Sequence, residues 1–388
     1  MPEKALGAGR LQKIQKDHLQ ARVELIRDGK LLTFQIDPAT EILGCLQEGD
    51  LIAITADQKI ILLAPAKGPL PPRNFVKGDL VRWNQYMTAL REFFVGQGFM
   101  ELKTPSMVPC PGTEPTLDVF STELKVGSRH QKLFLPTSPE LHLKKALALG
   151  AEKIFEIASC YRNGEITERH QPEFLMLEWY RAYNNLSAIK QDVVNLVSAL
   201  AAKLARTEPK NIKTYSVAEL FKIHCSFTLT PQTTLTELKD LGLSLGVDVH
   251  SAESIDDYFF LIFMEKIESK LNPDELIFVE KYPPYQAALA RLTEDGWGDR
   301  FEVYWQGFEL ANAFHELNNP VVQRLRSEED LEKKKQLGKE EVFLDTEFFQ
   351  CLEAGMPPSG GIALGVERLF MALMGIKNIS QVKLFPYL

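Results

Sequence analysis

Cys160-Tyr161-Arg162-Asn163-Gly164-Glu165, followed after four residues by His170-Gln171-Pro172-Glu173-Phe174-Leu175-Met176-Leu177-Glu178-Trp179-Tyr180, carries the densest chemistry in the chain. Read as a strand, its second half places Phe174, Met176, Glu178 and Tyr180 on one face, because strand side chains alternate with a period of two. A carboxylate and a phenol then share a surface with an aromatic ring. A half-buried strand with surface charges has the same pattern. Against that plainer reading, a strand rarely buries apolar neighbours beside a same-face glutamate unless the glutamate binds something.

Two later segments repeat the idea. In Phe308-Glu309-Leu310-Ala311-Asn312-Ala313-Phe314-His315-Glu316, two glutamates flank an otherwise apolar run, as oxygen ligands for a hard divalent cation would. Two solvated glutamates are the alternative. In Ser359-Gly360-Gly361-Ile362-Ala363-Leu364-Gly365-Val366-Glu367-Arg368-Leu369, glycines let a ligand approach the backbone and an arginine follows at a helix start.

Around these segments the chain reads as α+β. Strand-like runs lie at Lys132–Leu135, Lys153–Ile157, Phe174–Trp179, Leu276–Lys281, Arg300–Tyr304 and Gly361–Leu364. Leu80, Trp83, Met87, Leu90 and Phe94 step by three and four, one apolar helical face that ends at Gly96 and Gly98, where a strand at Phe99–Lys103 begins. Further helical patterns fall at Glu140–Leu149, Ser187–Leu204 and Ile255–Leu271, and Glu328–Glu341 reads as a solvated helix. Strands bunched with intervening helices predict one antiparallel sheet flanked by helices.

The 388 residues suggest two or three domains, at roughly 150 residues each. Four prolines and a glycine in Ala64–Arg73 mark a stiff linker, which we place at 67–74. It separates a β-rich domain at 1–66, with a short helical lead-in, from a domain at 75–388. Residues 1–75 hold ten basic and nine acidic side chains, without a basic stripe. With 44 basic and 52 acidic residues in all, no global positive field draws the chain to nucleic acid or anionic lipid. No apolar run is long enough to span a membrane, and the opening residues lack the apolar core of a secretory signal. Five widely spaced cysteines, with no CxxC pair and no HxxxH, argue against a disulfide framework or a zinc site. They read as reduced thiols in a cytoplasmic protein.

Together the three segments resemble the class II aminoacyl-tRNA synthetase core, in its lysine branch. Gly98–Pro105 is similar to motif 1, Arg162–Tyr180 to motif 2 and Gly361–Arg368 to motif 3. Thr137–Lys144, Met176–Arg181, Arg300–Tyr304 and Glu309–Leu317 are more specifically similar to the paralogous family of elongation factor P–(R)-β-lysine ligases. Ala363 also resembles that family, since lysyl-tRNA synthetases usually carry glycine there.

The resemblance implies ATP-dependent activation of lysine or (R)-β-lysine as an adenylate, then transfer to a lysine side chain of elongation factor P. It implies that Arg162 holds the α-phosphate and Arg368 the γ-phosphate, with Phe174 stacking on adenine opposite Arg368. Asn163, Gln171, Glu309, Leu310 and Gly365 complete the expected ATP site, and Glu309 and Glu316 the expected Mg²⁺ ligands. Ser138, Glu140, Glu178, Tyr180, Asn312 and Glu316 are the expected amino-acid pocket; its acids suit a dication, whereas aspartate would need an arginine there. The motif 1 resemblance implies a homodimer. The sequence departs from the family at Gly164, where motif 2 usually has glutamate and the acid is instead Glu165, and in its extra N-terminal residues. A minimal lysyl-tRNA synthetase and a silent regulatory paralogue are the alternatives. Ala363 and a neutral N-terminal segment with Phe34 as its one aromatic speak against tRNA, and the intact Arg162, Arg368, Glu309 and Glu316 speak against silence.

Overall fold

The structure, a computed structural model, describes residues 5–17, 19–27, 30–66, 77–250 and 252–387. The chain divides into two compact units, 1–85 and 86–388. The linker expected at 67–74 lies outside the described residues.

In the first unit, β1 (Ala5–Lys16), β2 (Ala21–Arg27), β3 (Lys30–Ile36), β4 (Leu51–Thr55) and β5 (Ile60–Ala64) form one antiparallel sheet, ordered β3-β2-β1-β4-β5. Leu11, Val23, Leu25, Ile36, Ile52 and Ile54 build its core. The helical lead-in expected before Ala21 is a strand. Glycine costs a helix about 1 kcal/mol relative to alanine, and Gly7 and Gly9 serve close strand contacts instead. A Cβ on Gly7 would lie 2.6 Å from the Phe34 ring, and one on Gly9 2.5 Å from the Ile26 carbonyl oxygen.

Helix α1 (Lys77–Gly96) leads into the second unit. Its buried residues there are Tyr86, Ala89, Leu90 and Phe94, a face rotated from the expected row, and Leu80 is exposed. Counting apolar residues alone overlooked Tyr86, whose ring is buried while its hydroxyl donates to the Val366 carbonyl at 2.9 Å. Phe94 stacks on Phe155 with centroids 4.9 Å apart and meets Phe99 edge-on.

The chain continues through β6 (Met100–Glu101), β7 (Ser121–Val126), β8 (Arg129–Phe134), α2 (Glu140–Ala148), β9 (Lys153–Tyr161), β10 (Glu173–Ala182) and α3 (Leu186–Lys203). Then come β11 (Asn211–Ser216), α4 (Val217–Cys225), α5 (Leu235–Ser244), α6 (Ile255–Ile262), β12 (Glu275–Tyr282), β13 (Gly298–Trp305) and β14 (Phe308–His315). Last are α7 (Pro320–Gln336), α8 (Thr346–Gly355), β15 (Ser359–Gly365) and α9 (Val366–Met374). The helix expected over Ile255–Leu271 is regular only to Ile262, then widens and tightens through irregular turns to Lys270. The helix expected at Glu328–Glu341 starts earlier and stops at Gln336. It is not wholly solvated, because Lys334 is buried and donates to the carbonyls of Glu114 and Leu117 at 2.9 and 2.7 Å.

Eight strands form one sheet, ordered β11-β12-β13-β14-β15-β10-β9-β6. It is antiparallel except at the outer pairs β11/β12 and β9/β6. This is the α+β, helix-flanked antiparallel architecture expected from the sequence. Its register aligns Glu156, Glu178, Ala363, Asn312 and Glu302 in one row across five strands. The next row is Ile154, Tyr180, Gly361, Phe314 and Arg300. Residues directly opposite in such ladders share a face, so acids gather on one side of the sheet.

Adjacent glycines in β15 serve opposite faces. A Cβ on Gly360 would lie 2.8 Å from Ile189 of α3, while one on Gly361 would collide with Glu316 Oε1 and the Tyr180 ring. Helix α3, capped by Asn185, is pinned to the sheet by buried Asp192. Its carboxylate accepts two hydrogen bonds from Arg181, both at 2.7 Å, and one from the Trp179 indole at 3.1 Å. Truncating one partner of such a cluster leaves buried donors uncompensated. We expect Asp192→Ala to destabilise the second unit by about 3 kcal/mol, read as a lower urea midpoint with little change in slope.

Candidate active site

A cavity of about 950 Å³ opens over β10, β14 and β15, with its walls completed by α2, the β9–β10 connection, residues 110–117, α7 and α9. One end is acidic. Glu178 of β10 lines it and accepts from Ser138 Oγ at 2.5 Å and from the Tyr180 hydroxyl at 2.9 Å. Glu140 starts α2, where the helix N-terminus suits a carboxylate. One turn later, fully buried Lys144 lies 2.5 Å from Glu140 and 2.6 Å from Glu316. Its contact with Glu316 is a close ion pair.

Two carboxylates thus share one ammonium, and a third, Glu178, lies at the same end held by hydroxyls. Burial, then the charge of Glu140, pushes the Glu178 carboxyl up to about 8, against the pull of Ser138 and Tyr180. Burial likewise raises Glu316 to about 8; Lys144 opposes the rise and Glu140 adds to it. Burial works against the Lys144 charge, but the two glutamates outweigh it and hold its pKa above the ordinary lysine value.

The other end is basic. Arg162 and Arg368 both line the cavity. Arg162 lies over the Phe174 ring, 5.2 Å from its centroid, and its Nε is buried without a hydrogen-bond partner. Arg368 donates to the Glu309 carbonyl at 2.9 Å and lies 2.6 Å from His170 Nε2. Burial, then the charges of Arg368, Arg162 and Arg169, depresses His170 to about 4. His170 is therefore neutral near pH 7, and its Nε2 accepts from Arg368 while Nδ1 faces Thr167 Oγ1 at 2.8 Å. Behind this end Glu367 accepts from the Leu175 amide and pairs with Lys383 at 2.6 Å, tying α9 to β10.

Most residues singled out in the sequence come together here. Ser138, Glu140, Arg162, Gln171, Phe174, Glu178, Glu309, Leu310, Asn312, Gly365 and Arg368 line the cavity. Tyr180 and Glu316 stand just behind its wall, contacting Glu178 and Lys144. Asn163 is not brought in; it is exposed, and its backbone pairs with Asp118. Gly164 adopts φ 79°, which strains an L side chain, and Glu165 beside it lines the cavity. The departure from the motif 2 pattern thus moves an acid by one residue and keeps it at the site. Phe174 has Arg162 over its face.

The metal pairing needs correction. Glu309 and Glu316 sit seven residues apart along and just beyond β14, about 20 Å at the rise of an extended strand. Two glutamate side chains cannot span that to one ion. Glu309 is instead near Glu302, which the reading of the sequence did not single out. Burial, then the Glu302 charge, raises Glu309, while Arg368 and Arg300 oppose the rise. Glu302 accepts from the hydroxyls of Tyr282, at 2.6 Å, and Tyr304, at 2.5 Å, and pairs with Arg300. Lys144 and His170 were also missed. Lys144 follows Glu140 by four residues, a spacing that ordinarily reads as a surface helix pair. The signal for Glu302 was its place between Arg300 and Tyr304 in a strand-like run.

A model of the class II tRNA synthetases (D, K and N) matches residues 74–388. An elongation factor P–(R)-β-lysine ligase of Vibrio parahaemolyticus is 37% identical over 312 residues, 78% of this chain and 93% of that protein. A protein of the same name from Haemophilus ducreyi is 33% identical over 79% of this chain and 93% of its own length. Another, from Hamiltonella defensa, is 31% identical over 79% of this chain and 94% of its own.

The raised carboxyls have a thermodynamic consequence. Between the ordinary glutamate value of 4.5 and about 8, folded Glu178 and Glu316 retain protons that the unfolded chain has lost. Their contribution to stability is full below that window and is lost as pH rises through it. We expect the melting temperature of the ligand-free protein, by scanning calorimetry, to fall from pH 5 to pH 8.5. Glu316→Gln should flatten part of that slope.

Proposed function

The chain belongs to the class II tRNA synthetases of the D, K and N group, and from that premise we propose that it activates lysine or (R)-β-lysine with ATP and transfers it to a lysine side chain of elongation factor P; its relatives are named as elongation factor P–(R)-β-lysine ligases. The observation that carries this reading is the acidic end of the cavity, where Glu140 and Glu316 share Lys144 and Glu178 stands beside them held by Ser138 and Tyr180. A donor with two ammonium groups supplies the missing positive charge. Aspartate would meet repulsion there, and asparagine would leave the carboxylates uncompensated. Tyr180 and Ser138 fix Glu178 by donating to it, Asn312 faces the donor from the wall, and Ala363, between Glu178 and Asn312, shapes the wall it lies against.

In the first step a carboxylate oxygen of the donor attacks the α-phosphorus of ATP, and the bond to the β-phosphate oxygen breaks to release pyrophosphate. Charge gathers on phosphate oxygens, so positioning and electrostatics do most of the catalysis. Arg162 is assigned to the α-phosphate; its unpartnered Nε is a donor suited to an anion. Arg368, oriented by neutral His170, is assigned to the γ-phosphate. Phe174 offers its ring to adenine, with Gln171, Leu310 and Gly365 around it. The donor carboxylate is already ionised, so no general base is needed.

A pair of neighbouring carboxylates with hard oxygen donors fits Mg²⁺, and Glu309 with Glu302 would hold it. Bound there, the ion supplies charge neutralisation to the phosphates. In the second step the acceptor amine attacks the adenylate carbonyl and AMP leaves.

Elongation factor P is favoured over tRNA as acceptor by the first unit. Single-stranded RNA is bound by stacking and charge together, yet Phe34 packs into the core of that unit against Gly7. These substrates set the reaction in the cytoplasm, and no described helix is long and apolar enough to cross a membrane. We also propose a homodimer through the segment around Phe99–Pro105, where Val95, Met100 and Met107 are each more than half exposed.

Purified protein should catalyse ATP–pyrophosphate exchange dependent on α-lysine or (R)-β-lysine. Glu316→Gln and Arg368→Ala should each lower it far more than tenfold, a factor equal to about 1.4 kcal/mol. Exchange within tenfold of wild type in both variants would sink the site assignment. Light scattering at micromolar protein should return twice the chain mass, and a monomer would refute the dimer.

A further inference from the structure

The cavity has a further wall beyond the residues assigned above to ATP and the donor lysine. Beyond residues 110–117 its lining runs along Tyr285, Gln286, Asp256 and the inner face of α7, at Gln323, Ser327 and Asp330. Two polar atoms on this wall are buried and have no hydrogen-bond partner among the described residues: the Tyr285 hydroxyl oxygen and Gln323 Oε1. Gln323 is only 1% exposed, and its amide nitrogen is already committed to Ser327 Oγ at 3.3 Å, so its carbonyl oxygen is an acceptor without a donor. Both oxygens can accept from a cationic N–H.

The charges here are mostly negative and follow one another. Burial, then Glu140, raises Glu114; burial, then Glu114, pushes Asp330 up to about 6. Burial also raises Asp256, which Gln286 and Lys333 partly satisfy. The neighbouring Lys334 is turned away to backbone carbonyls. Carboxylates thus extend from the donor pocket at Glu140 through Glu114 to Asp330 and Asp256. That track repels a triphosphate. A primary ammonium, with three donors and one positive charge, suits both the orphaned acceptors and the acids.

Resting on the function proposed above, we propose that this outer chamber, with Gln323, Tyr285 and Asp330, binds the acceptor lysine side chain of the protein substrate as its ammonium; that group gives up one proton to solvent, the free amine attacks the adenylate carbonyl, and the carbonyl–oxygen bond to AMP breaks as the new amide loses the second proton. The chamber's residues are other than those assigned above to ATP and the donor.

The test measures the two half-reactions separately in the full-length protein. Adenylate formation is followed by pyrophosphate exchange and by hydroxamate formation with hydroxylamine, an uncharged nucleophile that needs no ammonium site. Transfer is followed as label moved from lysine to elongation factor P. Asp330→Asn should raise the KM for elongation factor P at least tenfold, and Asp330→Lys should abolish transfer, with exchange and hydroxamate within about twofold of wild type. Asp330→Glu should restore transfer. Nα-acetyl-lysine amide should compete with elongation factor P, and Nα-acetyl-norleucine amide should not. Transfer unchanged in the Asn and Lys variants would overturn the proposal, as would losses of exchange and transfer in step, which mark a structural role. Wild-type protein that exchanges with neither lysine isomer would instead overturn the function on which the chamber rests.

Discussion

Glu140, Glu178 and Glu316 are gathered at one end of the cavity around a single lysine, Lys144, and much of the second unit is arranged to make this possible. Removing a carboxylate from water costs several kcal/mol even after relaxation, so the fold must compensate each charge or return its proton. Lys144 compensates Glu140 and Glu316. Ser138 and Tyr180 donate to Glu178, and burial still drives its pKa to about 8. The empty site is therefore the unfavourable one. A ligand carrying positive charge relieves an imbalance that the sheet enforces through its register.

The opposite end reverses the sign and gives the cavity direction. Arg162 faces it with its Nε unpaired among the described residues, Arg368 faces it beside Glu309, and His170 is kept neutral by burial and then by the arginine charges around it. A molecule with cationic and anionic ends can lie in such a cavity one way only. Electrostatics thus orients the reactants before any individual hydrogen bond selects among them. Glu367 and Lys383 keep the basic wall rigid from behind, through the backbone of β10 and α9.

The sheet, and most of the lining, were legible from the sequence because strand alternation is local. Phe174, Met176 and Glu178 do share a face, and their neighbours follow from the register of adjacent strands. What a one-dimensional reading lost was separation and depth. Glu309 and Glu316 look like a pair in sequence yet lie far apart along an extended strand, while Glu302 approaches Glu309 only because β13 and β14 form a hairpin. Lys144 has the spacing of a solvated helix pair and is buried, since helix spacing does not reveal which face meets the sheet. Tyr86 and the β1 glycines were misjudged for a related reason: their roles depend on partners distant in the chain.

Gly360 and Gly361 show where this architecture can change. The missing side chain of one is claimed by α3 and that of the other by Glu316 and Tyr180, so neither position can gain even a methyl without moving backbone or charge. Two residues along the same strand, Ala363 lies between Glu178 and Asn312 with its side chain on the cavity wall. The strand therefore combines two frozen sites with one adjustable one. Divergence among related proteins toward longer, shorter or differently branched amines would be concentrated at 363, leaving the glycine pair as a fixed datum against which the pocket is resized.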